Sequence, residues 1–361
     1  MNNLKKLIII CLIFYSAGIE AEMINRYGTT TANFLEIGIG GANAMGEAFV
    51  ADADDLSSIY WNPAGLSNLN QNSAYFTIQP WVANIDMVFA SGAISIPGVG
   101  ILGLGITQLD YGDEKVTTLE YQNGTGEYFT ASDFAASLTF ARKIVSWFGF
   151  GSSFKYISSN IWHSSASAFA VDLGVQVDTD FFSRTGRTED GLKIGMSISN
   201  YGTRMKFDGI DTYQPIDISE YEEGNYGDVS GQFRTSKWEL PLIFRIGVSV
   251  KPIVTNFFNL TLNVDALHPN NNSESINVGT ELENKLPGFG TFIIRLGVKS
   301  LYVDRSGAEA LYGTSDIGKR LTMGIGLKRN YLGNKIISFD YSYKSLGILG
   351  NVQAFSIGLS F

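Results

Sequence analysis

The sequence predicts an all-β membrane protein: a 14-stranded antiparallel outer-membrane β-barrel with an N-terminal hatch in its lumen. Three observations lead to this prediction. The chain begins like a secretory signal, it repeats short segments in which apolar and polar residues alternate, and the connections between them are mostly short on one side and long on the other. Because the side chains of a strand point alternately to its two faces, each segment offers one face to lipid and one to the lumen.

Residues 1–21 have the composition of a secretory signal. Lys5 and Lys6 form a basic start, Leu7 to Tyr15 form an apolar run, and small residues follow up to Ala21, where we expect cleavage. The apolar run is well short of the roughly 20 residues that cross a bilayer as a helix, which disfavours a membrane anchor. The signal therefore predicts export, and the strand pattern predicts the bacterial outer membrane as the destination.

Composition disfavours most catalytic and cofactor chemistry. The single cysteine, Cys11, lies in the predicted signal, and Ile10 stands where a lipoprotein signal requires a small residue, so the exported chain has no thiol. His163 and His268 lack the neighbour patterns of zinc sites and catalytic triads, and the glycine pattern Gly98–Gly103 leads into a strand, whereas a dinucleotide loop leads into a helix. With 35 acidic against 26 basic residues, nucleic acid is an improbable partner. We predict no enzymatic activity, no metal and no cofactor.

Fourteen segments show the alternation. Between Phe258 and Asp265, for example, Phe, Leu, Leu and Val take one face, while Asn, Thr, Asn and Asp take the other. The predicted strands are Ser73–Trp81, Asp86–Ile96, Val99–Leu109, Asp133–Lys143, Phe148–Ser159, Phe169–Thr179, Lys193–Tyr201, Leu242–Lys251, Phe257–Ala266, Glu274–Leu282, Gly290–Lys299, Leu321–Lys328, Lys335–Tyr343 and Val352–Phe361. The even number is the one that a single-chain bacterial barrel requires.

The connections test this count independently. The tight ones include Pro97–Gly98, Ile144–Trp147, Pro252–Asn256 and Arg329–Asn334, and the long ones are Asp110–Ser132, Gly202–Pro241 and Ser300–Arg320. All three long connections fall on one side, as extracellular loops should, although Asp180–Leu192 is a long turn on the other. A soluble β-sandwich would show the same alternation, but the signal, the one-sided loops and the terminal Phe361 together favour the barrel.

Residues 22–72 do not alternate and form a separate segment before the barrel of residues 73–361. The segment is rich in Gly and Ala, and its larger apolar members call for burial. These members are Phe34, Leu35, Ile37, Met45, Phe49 and Trp61. We expect the segment to lie in the barrel interior as a hatch.

Several stretches of this segment resemble a known family. They are Gly28–Leu35, Ile37–Gly40, Ala44–Ala51, Asp54–Asp55 and Tyr60–Leu66. Together they resemble the N-terminal signature of PorV/PorQ-type outer-membrane proteins, a group similar to the FadL long-chain fatty-acid transporters. The resemblance implies a FadL-like barrel of fourteen strands around an N-terminal hatch.

The sequence offers candidate residues for a ligand or hatch site and for a lateral opening. Trp61, Asn62, Pro63 and Ala64 carry the motif shared with the wider FadL-like group, although Asn and Pro also suit a turn that folds the hatch against the wall. The resemblance associates the third strand with a lateral opening toward the membrane. We assign this opening to three glycines of that strand, which could instead relieve crowding against the hatch. They are Gly100, Gly103 and Gly105.

Register predicts which polar side chains face the lumen. The candidates are Asp172, Arg245, Asp265 and Lys299, and a slip of one residue would turn them outward. In the Gly202–Pro241 loop, acidic residues and tyrosines suit protein or calcium binding, or form a solvated surface.

Two functions from different classes follow from the resemblance. In the first, the protein is a non-enzymatic component of type IX protein secretion, with secretion-system proteins, a sortase or cargo as partners. In the second, it is a passive transporter of hydrophobic compounds such as long-chain fatty acids. A purely structural or adhesive barrel is the third alternative. Outer-membrane lipid and lipopolysaccharide are the expected surroundings in every case.

Overall fold

The computed structural model describes residues 28–216, 229–302, 320–331 and 334–361. In chain order, the strands are β1 Ser73–Pro80, β2 Asp86–Ile96, β3 Gly100–Lys115, β4 Tyr128–Val145, β5 Phe148–Ile161, β6 Ser164–Asp178, β7 Lys193–Gly202, β8 Asp208–Gly209, β9 Tyr213–Ile216, β10 Val229–Gln232, β11 Ile243–Val254, β12 Phe258–Pro269, β13 Ser275–Leu286, β14 Gly290–Tyr302, β15 Leu321–Tyr331, β16 Lys335–Ser345 and β17 Asn351–Ser360. The predicted signal and part of the acidic loop lie outside the described residues.

Fourteen of these strands, β1–β7 and β11–β17, form a closed antiparallel barrel. Each pairs with the next in sequence, β7 pairs with β11, and β1 closes the ring against β17, with Ser73 opposite Ser360 and Ile78 opposite Phe355. Strand β8 adds to the end of β6, while β9 and β10 form a separate hairpin. The predicted fourteen-stranded barrel is confirmed.

Strands β3 to β6 extend further toward the long loops than the sequence predicts. Strand β4, for example, is Tyr128–Val145, whereas the alternation covers only Asp133–Lys143. Past Asp110, β3 continues to pair with β4, but most side chains on both faces are exposed there. Because both faces meet water, the ladder continues without apolar alternation, and the sequence gives no signal for it.

Apolar side chains cover the outside of the barrel and polar ones line the inside. On β17, Phe355 and Ile357 are exposed, whereas Ser356 between them is buried. The same alternation on the other strands produces an outer surface suited to lipid. In the part of the chain that the structure describes, no helix is long and apolar enough to cross a membrane.

Residues 28–72 pack against the polar inner faces of the strands. The segment starts at the end of the barrel that carries the long loops, which we call the loop end: the N–H of Thr31 donates to the carbonyl of Glu239 at 3.0 Å. It finishes at the opposite, turn end, where Phe361 N–H donates to the carbonyl of Asn72 at 2.8 Å. The segment therefore passes through the barrel from one end to the other.

Short helical turns build this segment, at Asn33–Glu36, Gly40–Met45, Ser58–Trp61 and Pro63–Asn68. Gly46 ends the second turn with φ of 65°, and a Cβ there would lie 2.7 Å from the carbonyl oxygen of Val298. Only glycine allows both this backbone conformation and so close an approach to the wall.

Candidate functional site

Asn62 ties two parts of the N-terminal segment to the wall. Its Nδ2 donates to the carbonyls of Val50 at 2.8 Å and of Val175 on β6 at 3.0 Å, while its Oδ1 accepts from the N–H of Ala64 at 3.1 Å. Pro63 takes the first position of the next helical turn, where the missing N–H needs no partner. The buried amide is thus fully used in holding the backbone, which is the arrangement of a structural turn.

Trp61 is buried beside Tyr60 and Arg245. Its indole Nε1 donates to the carbonyl of Ile39 at 3.0 Å. Its ring packs edge-on against the Tyr60 ring, with the two ring centroids 4.7 Å apart. The Arg245 guanidinium lies 5.5 Å from the Tyr60 ring and donates to Ser199 Oγ at 3.0 Å. The structure therefore places Arg245 on the inner face, in contact with the motif.

Asp265 and Lys299, two further lumen candidates, also contact the N-terminal segment. Asp265 Oδ2 accepts from the consecutive N–H groups of Phe49 and Val50 at 2.8 and 2.9 Å. Lys299 Nζ lies 3.1 Å from Glu47 Oε1. Both side chains therefore bind the segment rather than face an open channel.

Glu47 sits between two lysines. Lys344 Nζ lies 2.9 Å from the same carboxylate oxygen that contacts Lys299. Burial disfavours the charged carboxylate, but the two ammonium groups outweigh this effect and lower the pKa of Glu47 to about 2.

Asp172 belongs to a buried network that includes a lysine not predicted from the sequence. Lys155 Nζ lies 2.6 Å from Asp172 Oδ2 and donates to Asn200 Oδ1 at 2.9 Å, while the N–H of Asn200 donates to Asp172 Oδ1 at 2.7 Å. The alternation of β5 would have predicted Lys155 as an inner-face residue. It shares a face of the strand with Gly151 and Ser153, whereas Phe154 and Tyr156 take the other face.

A mostly apolar cavity lies between the N-terminal segment and strands β2 to β5. In this conformation it is small, because the space open to a water-sized sphere is about 20 Å³, which is about the room that one water molecule needs. Its walls are Phe34, Leu35, Ile59 and Tyr60 from the segment and Phe89, Thr107, Ala135, Ser137 and Lys155 from the strands. Its walls are formed largely by carbon, with few polar groups, so an apolar molecule larger than water would fit only when the segment moves away from the strands.

The inward positions of β3 pack against the segment. A Cβ at Gly103 would lie 2.9 Å from Leu66 Cδ1, and one at Gly105 would lie 3.0 Å from Ile59 Cγ2. Gly100 begins the strand, just after the tight turn. This geometry favours the view that Gly103 and Gly105 relieve crowding.

The wall is continuous at these glycines. Strand β3 pairs without a register shift from Gly100 to Asp110 with β2 and from Ile101 to Asp110 with β4. The first irregularity lies between Asp110 and Asp113, at the loop end. A lateral opening at the glycines remains a prediction about another conformation.

The N-terminal segment is held differently on its two sides. Gln176 on β6, Asp265 on β12 and Thr322 on β15 hydrogen-bond to its backbone. Toward β3, its contacts are those of Ile59 and Leu66 with the glycine positions. Separating the second set breaks van der Waals contacts, whereas separating the first leaves buried polar groups without partners.

Comparison with known proteins supports the fold. No protein-family model and no curated protein matches the sequence. The toluene transporter TodX of Pseudomonas putida is similar with a TM-score of 0.53 and 10% identity, over 89% of this chain and 96% of that chain. The toluene transporter TbuX of Ralstonia pickettii gives 0.51 and 10% over 89% and 97%, and the CymD monoaromatic hydrocarbon channel gives 0.51 and 10% over 90% and 98%. The chain thus shares the barrel fold of these three structures.

Proposed function

We propose that this protein is a passive transporter of hydrophobic compounds across the outer membrane, with residues 28–72 as its hatch. The observation that carries the proposal is the apolar cavity between this segment and β2 to β5, inside a barrel whose inner face is otherwise largely polar. The names of the similar structures, two toluene transporters and a monoaromatic hydrocarbon channel, favour the same class of cargo.

The two sides of the segment give the transporter a route. An apolar molecule that enters beside Phe34 and Leu35 separates Ile59 and Leu66 from β3, and its own carbon surface replaces the contacts that are lost. The hydrogen bonds to β6, β12 and β15 hold the rest of the segment in place. In the part of the chain that the structure describes, no hydrogen bond joins Ile59 or Leu66 to β3, so moving these two side chains away from β3 breaks none there.

Disulfide trapping tests the route, because the expected exported chain has no other cysteine. Ile59→Cys with Gly105→Cys would fasten the segment to β3, since a Cβ at Gly105 lies 3.0 Å from Ile59 Cγ2. We expect toluene uptake by a deletion strain carrying this variant to stop when the bond forms and to return on reduction. The matched control is Met45→Cys with Gly279→Cys, where a Cβ at Gly279 lies 2.8 Å from Met45 Cβ on the hydrogen-bonded side.

Two results would contradict the proposal. Normal toluene uptake with the Ile59–Gly105 bond formed would exclude this route. A deletion strain with normal uptake, but without surface proteins that bear the type IX secretion C-terminal domain, would instead support the secretion role implied by the PorV/PorQ resemblance. No similar structure reported above supports that second role.

A further inference from the structure

We infer that the cavity selects uncharged apolar molecules and rejects carboxylates, and that the Lys155–Asp172 ion pair sets this selectivity. The inference rests on the proposed transport function and narrows its substrate class to neutral compounds. Fatty-acid anions, which the resemblance would allow, are thereby excluded.

Among the residues that the structure describes, Lys155 is the only charged group that lines the cavity. The other eight residues that line it are apolar or carry hydroxyls. A buried ammonium group without a counter-ion, next to apolar side chains, would bind the carboxylate of a fatty acid. The selectivity therefore depends on whether this charge is already balanced.

Asp172, on the neighbouring strand of the wall, neutralises the positive charge of Lys155. The two charged atoms lie 2.6 Å apart, and the side chains are only 8% and 0% exposed. Asn200 occupies a second direction of the ammonium group through its Oδ1 at 2.9 Å. The two charges of the pair thus balance each other without a ligand.

The pair is also fixed in position. Asp172 Oδ1 accepts from the N–H of Asn200, and Asn200 Nδ2 donates to the carbonyl of Pro241 at 2.9 Å. Asn200 has φ of 65°, a backbone conformation that these contacts hold. Asp172 therefore cannot turn away from Lys155 to admit another anion without breaking several buried contacts.

A ligand carboxylate would place two anions beside one cation. Removing such an uncompensated charge from water is strongly unfavourable. Arg245 does not line the cavity, and its guanidinium lies over the Tyr60 ring and donates to Ser199. A neutral molecule leaves the pair undisturbed and gains only the apolar contacts.

Toluene and benzoate form a suitable pair of probes, because a methyl group in one is replaced by a carboxylate in the other. Initial uptake rates would be measured in the deletion strain carrying each variant, with barrel folding checked by the heat-dependent shift on SDS gels. Asp172→Asn keeps the side-chain size and an acceptor for Asn200 while freeing the Lys155 charge. We expect it to raise benzoate uptake by about tenfold or more, since each 1.4 kcal/mol of binding free energy is a factor of ten.

Two further variants isolate the effect. Asp340→Asn removes a carboxylate paired with Arg295 outside the cavity and is expected to leave benzoate uptake low. Lys155→Met combined with Asp172→Asn keeps the cavity neutral and is also expected to leave benzoate uptake low, which shows that the freed ammonium matters rather than the loss of Asp172. If Asp172→Asn does not fold, the double variant still tests the inference, because free benzoate uptake through it would contradict the inference.

The outcomes separate the inference from the function on which it rests. Wild-type protein that admits benzoate as fast as toluene overturns the selectivity, as does a folded Asp172→Asn variant without a gain in benzoate uptake. A double variant that admits benzoate freely overturns it as well. Uptake of toluene that does not depend on the protein at all overturns the transport function itself, and the inference with it.

Discussion

Lys344 donates to Glu47 at 2.9 Å, although the two residues are 297 positions apart in the chain. Lys299 contacts the same carboxylate, so one residue of the N-terminal segment joins β14 to β16. A single carboxylate of the segment is therefore paired with two lysines of the wall.

Replacing Glu47 with Gln is expected to destabilise the barrel by about 3 to 5 kcal/mol, because it leaves two ammonium groups, one of them almost fully buried, without their anion. The measurement is the temperature at which the compact form is lost on SDS gels. Glu127→Gln in the exposed loop before β4 is the control and should have no effect.

The same carboxylate predicts a pH dependence. The folded pKa of Glu47 is about 2, which is below the unfolded value of about 4.3. Its stabilisation is therefore complete above the unfolded pKa and is lost as the pH falls through the folded one. The difference in stability between wild type and Glu47→Gln should therefore shrink as the pH falls below about 4. A constant difference down to pH 2 would contradict the assigned ionisation.

Asn62→Ala should lower the free energy of unfolding by about 3 kcal/mol, since a buried carbonyl, a partly buried carbonyl and one N–H lose their partner. Asn62→Asp should be at least as damaging, because its carboxylate would face the carbonyls of Val50 and Val175. Chemical unfolding of the refolded barrel would measure both, with Asn123→Ala in an exposed loop as the control. Stable Asn62 variants with reduced uptake would point to a ligand role instead.

Gly105→Val should slow toluene uptake, because the added side chain would press against Ile59 and Ser137, which leave no free space there. Combining it with Ile59→Ala should restore uptake by returning that space. Gly92→Val on β2 is the matched control, since a Cβ there has only an ordinary contact of 3.7 Å with Ser73 O. Rapid uptake by folded Gly105→Val would argue against passage on this side.

Asn263→Leu should leave stability unchanged or raise it. Among the described residues, Asn263 is buried and neither amide atom has a hydrogen-bond partner, so removing the amide loses no bond. Asn277→Leu on the neighbouring strand should destabilise, because Asn277 Oδ1 accepts from the N–H of Ser300 at 2.8 Å. Equal losses in the two variants would show that Asn263 has bonding partners in solution.

The sequence predicted the strands well because lipid and lumen impose opposite demands on alternate residues. It did not predict the ends of β3 to β6 near the long loops. Both faces of these ends meet water, so apolar and polar residues need not alternate there. The structure places the four residues predicted from register on the inner face, and a contact of any of them with a ligand stays a prediction; they are Asp172, Arg245, Asp265 and Lys299. Their partners could not be predicted, because contacts such as that of Asp265 with Phe49 join residues 216 positions apart.

The path of the N-terminal segment through the barrel constrains how the protein is assembled. A closed ring of hydrogen bonds admits a chain only by threading a free end, and this segment contacts strands around most of the ring. We expect the strands to wrap around a segment that is already present, so that it serves as an internal template during biogenesis. The seam between β1 and β17 would then pair last. A disulfide between cysteines placed at positions 73 and 360 should form later during assembly than one between cysteines placed at positions 45 and 279.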